Sequence, residues 1–272
     1  MDANEADQEY LHGYSPAEQR RLVEQAEYWR DLLILPDLPY RPGERLLDVG
    51  CGAGAVLGVL AAAHPGLVLA GIDREPRQID AARRHLAGLG RADADLRVGD
   101  AALLPWPDGG FDHAYLMWFV EHAPRIEPIL REVRRVLLPG GTITVNETEY
   151  ESFHFWPEHD DWEYVEAAMF AHFRSHGQAH AGRRLGPLLL EAGFHDVTSR
   201  LAGFHFFARP GDDDLRRHTH YTADYIVPAI PTFVEMGFDE SRLRRGLDHL
   251  LSIHAHPQGA FTQLVYRARG TA

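Results

Sequence analysis

A chain of 272 residues with 45% apolar and 10% aromatic content can bury one large domain, or one domain carrying a cap. Its formal net charge of −13 argues against nucleic acid and anionic membranes as partners, and its 27 basic residues include no lysine, which excludes Schiff-base and P-loop chemistry. One cysteine, Cys51, leaves no internal disulfide and no thiolate metal cluster within the chain.

Residues 1–9 are acidic and polar, which is not the pattern of a signal peptide, and they are expected to fray. Ser15, Pro16 and Glu18 form a helix start with the elements of a capping box. The helix is predicted to run from Pro16 towards Leu35, with Pro36, Pro39 and Pro42 ending it.

The stretch Arg45 to Gly54 organises the rest of the chain. Leu46, Leu47 and Val49 read as a buried strand; Gly50, Gly52 and Gly54 come next at alternate positions, and an Ala/Leu/Val run opens a helix. Such a turn lets backbone approach a ligand at a helix N-terminus. The longest uncharged apolar run, Ala53 to Ala63, is too short to span a bilayer, so a cytoplasmic protein is expected. Further strands are predicted near 67–72, 95–98, 111–117 and 142–146, with helices near 54–63, 76–88 and 125–137. This alternation implies an α/β fold with a parallel sheet.

Acids stand at three successive strand ends: Asp48, Asp73 and Asp100. Gly50-x-Gly52-x-x-Ala55 also fits a dinucleotide fingerprint. A pyrophosphate would sit badly beside Asp48, however, whereas a cofactor with an amino group would tolerate it. Asp73 can take two ribose hydroxyls and Asp100 an adenine amino group. The set suits a cationic adenosine without phosphate, which is S-adenosyl-L-methionine.

Asp48-Val49-Gly50-Cys51-Gly52-Ala53-Gly54, Gly71-Ile72-Asp73, Gly99-Asp100-Ala101, Phe111-Asp112 and Leu138-Pro139-Gly140-Gly141 resemble, in order and spacing, the motifs of class I S-adenosylmethionine-dependent methyltransferases. The resemblance covers roughly residues 40–150. It implies a Rossmann-like, mostly parallel seven-stranded sheet with helices on both faces and an α-helical cap. It also implies cofactor contacts from Asp48, Gly50, Cys51, Gly52, Asp73, Asp100 and Ala101, with Met117 and Trp118 lining the sulfonium. Arg74 stands where the family usually has an apolar residue; either its guanidinium stacks on the adenine, or the adenine wall comes from elsewhere. The segment around Tyr14 and Arg21 resembles the N-terminal lid of a subgroup acting on small molecules, often in bacterial natural-product pathways. There Tyr14 and Arg21 would meet the methionine end.

Beyond the fifth strand the segment Tyr150 to Trp162 is dense in aromatic residues, with Glu147, Glu149 and Glu151 beside it. It is expected to select an apolar or aromatic acceptor with a polar handle. Glu147, Tyr150 and His154 are the candidates for a general base. His172, His176 and His180, spaced by four, are expected to form a solvated helical face and not a metal site. Gly182 to Phe194 reads as a helix closed by Gly193, then a strand near 197–201, a helix over 242–251 and a last strand over 261–266. The chain thus divides into a lid and helix (1–43), a cofactor-binding core (44–149), a cap insertion (150–181), more core (182–208), a second cap (209–256) and a final core strand (257–272). The expected reaction is methyl transfer to a small molecule in bacterial secondary metabolism, or else cyclisation on the same fold. A homo-oligomer is compatible with the sequence.

Overall fold

The computed structural model describes residues 15–176 and 179–272. Ser15 caps the first helix, α1 (Pro16–Trp29), and accepts a hydrogen bond from the Glu18 amide at 3.1 Å. The Glu18 carboxylate, expected to complete a capping box, instead receives Arg21. The predicted continuation to Leu35 is a π-helical turn, Arg30–Ile34, which buries Leu33 and Ile34.

Next come β1 (Arg45–Val49), α2 (Ala55–Ala63), β2 (Val68–Asp73), α3 (Pro76–Gly88), β3 (Asp95–Val98), β4 (Phe111–Met117) and α4 (Glu127–Val136). Ile129, Leu130, Val133 and Val136 of α4 are buried, the one-sided stripe expected of a helix laid on a sheet. The second half continues with β5 (Leu137–Trp156), α5 (Asp160–His176), α6 (Ala181–Glu191) and β6 (His195–Phe207). It ends with α7 (Asp214–Ile226), α8 (Ile230–Glu235), α9 (Glu240–Ser252) and β7 (Ala260–Thr271). The seven strands form one sheet in the order β3-β2-β1-β4-β5-β7-β6. The pairs β1–β2, β1–β4, β2–β3 and β4–β5 are parallel. Strand order reverses at β1, and the crevice beyond its carboxyl end is where such sheets bind ligands.

The chain forms two units. The first comprises residues 15–147, Ala181–Arg200 and Tyr266–Ala272. Its core joins Leu47, Val49, Ile72 and Leu116 of the central strands to Val133 of α4 and to Leu185 and Leu189 of α6. Gly193 has φ +91°, and the amides of Gly193 and Phe194 close the end of α6 on Leu190 and Leu189.

The second unit comprises Thr148–His180 and Leu201–Val265. Here the two stretches expected as separate caps share one core, made by Phe153, Phe155, Val165, Phe173, Phe233, Leu247 and Phe261 among others. Asp161 of α5 holds Arg242 and Arg245 of α9 at 2.8 and 2.7 Å.

Two elements depart from the sequence-based expectation. The fifth strand does not stop at Asn146 but runs to Trp156, so the aromatic segment begins as strand and not as a cap loop. α5 ends at His176, so His180 lies beyond it in a turn and shares no helix face with His172. His172 is 7% exposed, its ring edge-on to Phe173, and is a core residue where a solvated one was expected.

Candidate functional site: the β1 turn and its acids

Val49 leads directly into a turn in which Gly50, Gly52 and Gly54 all have positive φ, at +75°, +49° and +74°. The amides of Gly50 and Cys51 both donate to the Ile72 carbonyl, at 2.9 and 3.0 Å, which fixes the turn against β2. A Cβ at Gly50 would collide with the Phe119 ring, so this position needs glycine for space as well as for φ. Among the described residues a Cβ at Gly52 would meet only Leu22 Cδ1, at 3.9 Å, which leaves the backbone there room for a close-approaching ligand.

Asp73, the last residue of β2, grips the same turn. Its Oδ2 accepts from the Gly52 amide at 2.9 Å and its Oδ1 from the Glu75 amide at 3.0 Å. Burial pushes the Asp73 carboxyl up, while those two amides and the Arg74 charge hold it down.

Asp48 is 2% exposed, and its Oδ2 is buried without a hydrogen-bond partner among the described residues. Burial, with the Asp73 charge second, pushes its carboxyl up to about 8. A buried acid with an orphaned oxygen beside an open glycine turn calls for a donor. The ammonium of S-adenosylmethionine supplies one, and a phosphate-type anion would not. The residues present fit that cofactor.

Asp100 is exposed, and its Oδ1 takes the Ala102 amide at 2.8 Å, shaping the turn after β3 in which Ala101 is half-buried. Cys51 is buried, and burial raises its thiol far above the ordinary value, which removes it as a nucleophile and leaves it a packing role. Arg74 is exposed. Arg21, expected to meet a cofactor carboxylate, has its fork on Glu18 at 2.7 and 2.6 Å and its other nitrogen on Gln25 at 2.7 Å. Tyr14 lies outside the described residues.

The end of β4 adds what sequence reasoning missed. Met117 is buried, and Trp118 has φ +50°, a conformation costly for a bulky side chain and kept where neighbours impose it. Its amide bonds the Asn146 carbonyl at 3.0 Å and its ring stands edge-on to Trp29. Phe119 then fills the space left by the missing Cβ of Gly50. Glycine at position 50 was the one signal for that neighbour, and it does not say which residue arrives.

The three candidate bases are not equivalent. Glu147 is fully buried and its Oε1 accepts from the amides of Phe119 and Val120 at 3.0 and 2.7 Å, with the Glu121 amide near Oε2 at 3.4 Å. Burial raises its pKa, and its carboxyl shares a hydrogen bond with that of Glu121. It anchors the turn after β4. Tyr150, in the second unit, stacks on Phe173 at 4.3 Å and its hydroxyl pairs with that of Tyr225 at 3.1 Å. His154 is exposed, because strand alternation turns it away from buried Phe153 and Phe155. Those two phenylalanines, expected as an acceptor wall, pack on Phe261 within the core of the second unit.

Residues 47–145 match the model of the methyltransferase domain family. The 27-O-demethylrifamycin SV methyltransferase of Amycolatopsis mediterranei is 35% identical over 140 residues, 50% of this chain and 50% of that protein. A solved S-adenosylmethionine-dependent methyltransferase from Aquifex aeolicus superposes with TM-score 0.52 at 18% identity, covering 69% of this chain and 92% of that one. The [4+2]-cyclase SpnF superposes with TM-score 0.55 at 21% identity, covering 90% and 81%. These solved structures share the Rossmann-like fold with this chain. The match spans about half the length, or less, of the first curated relatives. S-adenosylmethionine is the cofactor of this family.

Proposed function

We propose that this chain, which belongs to the class I S-adenosylmethionine-dependent methyltransferases by its domain over residues 47–145, transfers a methyl group to a small-molecule acceptor of the natural-product type. The observation that carries the reading is Asp48, a buried acid with an orphaned oxygen at the mouth of the glycine turn. When bound, the cofactor supplies an electrophilic methyl group on a sulfonium.

The residues of the chain then bind, orient and exclude water. Asp48 takes the ammonium, Asp73 the ribose hydroxyls, and the Asp100–Ala101 turn the adenine edge. Gly52 lets the backbone come close. Met117 and Trp118 form an apolar wall where the methyl would leave, so that alignment and desolvation supply most of the rate. No base is assigned, since Glu147 is committed to backbone amides and His154 faces outward. An acceptor with a ready nucleophile needs none.

The 27-O-demethylrifamycin SV methyltransferase among the relatives makes a hydroxyl that ionises near neutral pH, such as an acidic phenol, the first acceptor class to test, its proton passing to water before the methyl is transferred. No helix among the described residues is long and apolar enough to cross a membrane. The net charge of −13 suits a neutral or cationic small molecule better than a polyanion. The test is incubation with S-adenosylmethionine and a panel of phenols, macrolide-type alcohols and amines, read by mass spectrometry. Release of S-adenosylhomocysteine with gain of one methyl on an acceptor supports the proposal. An isomerised acceptor without that release would assign a cyclase.

A further inference from the structure

In the second unit β5 carries Glu149 and Glu151. His180 comes to the same place from the turn before α6. One ligand atom from each lies within 4.8 Å of the other two. Glu149 is 6% exposed, Glu151 is exposed and His180 is half-buried. Separately, His180 Nδ1 is a buried nitrogen without a hydrogen-bond partner among the described residues, on a ring set edge-on to Phe170 at 5.1 Å. We propose that Glu149, Glu151 and His180 bind a divalent first-row transition-metal ion of the zinc type.

The chemistry fits in three respects. Carboxylate oxygens and an imidazole nitrogen are both ordinary ligands of zinc. The imidazole favours a transition metal over calcium or magnesium, which prefer oxygen alone. Bonds of about 2.1 Å bring ligands to within roughly 4 Å of one another. Glu151, at the exposed position, closes the remaining distance by a change of rotamer. The strand itself braces the site: Glu149 Oε1 accepts from the Glu151 amide at 3.2 Å, and Ser152 Oγ donates to the Glu149 carbonyl at 2.5 Å. Three protein ligands leave a coordination position for water or for an oxygen of a small molecule. The inference stands apart from methyl transfer, because all three ligands belong to the second unit and none to the glycine turn.

The experiment uses the full chain, stripped with a chelator and titrated with Co2+ under visible absorption, with Zn2+ as competitor. One saturable site displaced by Zn2+ is expected. Glu149→Gln, Glu151→Gln and His180→Ala should each weaken it at least about tenfold. His195→Ala, at an exposed histidine in the other unit, should leave it unchanged and controls for a chain with 17 histidines. Glu151 is exposed, so Glu151→Gln keeps the test sound if a variant at the buried Glu149 fails to fold. The absence of a saturable site, or affinity in the Glu151→Gln and His180→Ala chains equal to that of the native chain, would overturn the proposal.

Discussion

Asp48 gives the glycine turn a pH dependence whose sign is fixed. Its carboxyl is raised from 3.8 to about 8, so the folded chain holds a proton that the unfolded chain has released. That contribution to stability is complete below 3.8 and is lost as pH rises through about 8. Asp48→Asn, which stays neutral, should therefore flatten the fall in melting temperature between pH 4 and pH 8. A bound ammonium reverses the preference, so cofactor affinity of the native chain should rise with pH over the same window. Calorimetry in two buffers of different ionisation enthalpy should show a proton released on binding, and none from the Asn variant. An identical pH dependence in both chains would remove Asp48 from the site. The places of Asp48, Gly50, Asp73 and Asp100 at or beside strand ends were legible in the sequence, because each is fixed by distance along the chain from an apolar run. The Phe119 ring over Gly50 and the Glu147 cradle were not, since each joins residues far apart in sequence.

At the scale of elements, the strands over 45–49, 95–98 and 111–117 fall where apolar runs between glycine and acidic turns put them. The sequence predicts a fifth strand near 142–146, followed by an aromatic and acidic cap insertion. In the fold, Glu147 and Glu149 are buried, the first held by backbone amides and the second braced by the strand, so the strand continues. Once the strand extends, period-two alternation places Phe153 and Phe155 inward and His154 and Trp156 outward. Phe155 then packs on Trp162 at 4.6 Å and Phe261 at 4.4 Å as a core residue. Phe155→Ala is predicted to cost about 3–5 kcal/mol of stability, measured by urea unfolding, with cofactor affinity retained. Unchanged stability together with lost methyl transfer would return Phe155 to the acceptor pocket.

For the molecule as a whole, one unit carries the family match and the glycine turn, and the other carries a dense aromatic core and the proposed metal ligands. The first was legible because cofactor binding needs a fixed set of glycines and acids. The second was not, because acceptor selection fixes no residue types, so nothing in the sequence sets its aromatic residues apart as core or as pocket. Everything proposed for the first unit depends on the turn after β1 holding S-adenosylmethionine, with Asp73 on its ribose. The measurement is isothermal titration of S-adenosylhomocysteine into the native chain and into Asp73→Ala. One site per chain is expected, with a loss in the variant of roughly 2–3 kcal/mol, or about 30- to 150-fold, as charge-assisted bonds to two hydroxyls disappear. No binding to the native chain, or equal affinity in the two, would contradict it.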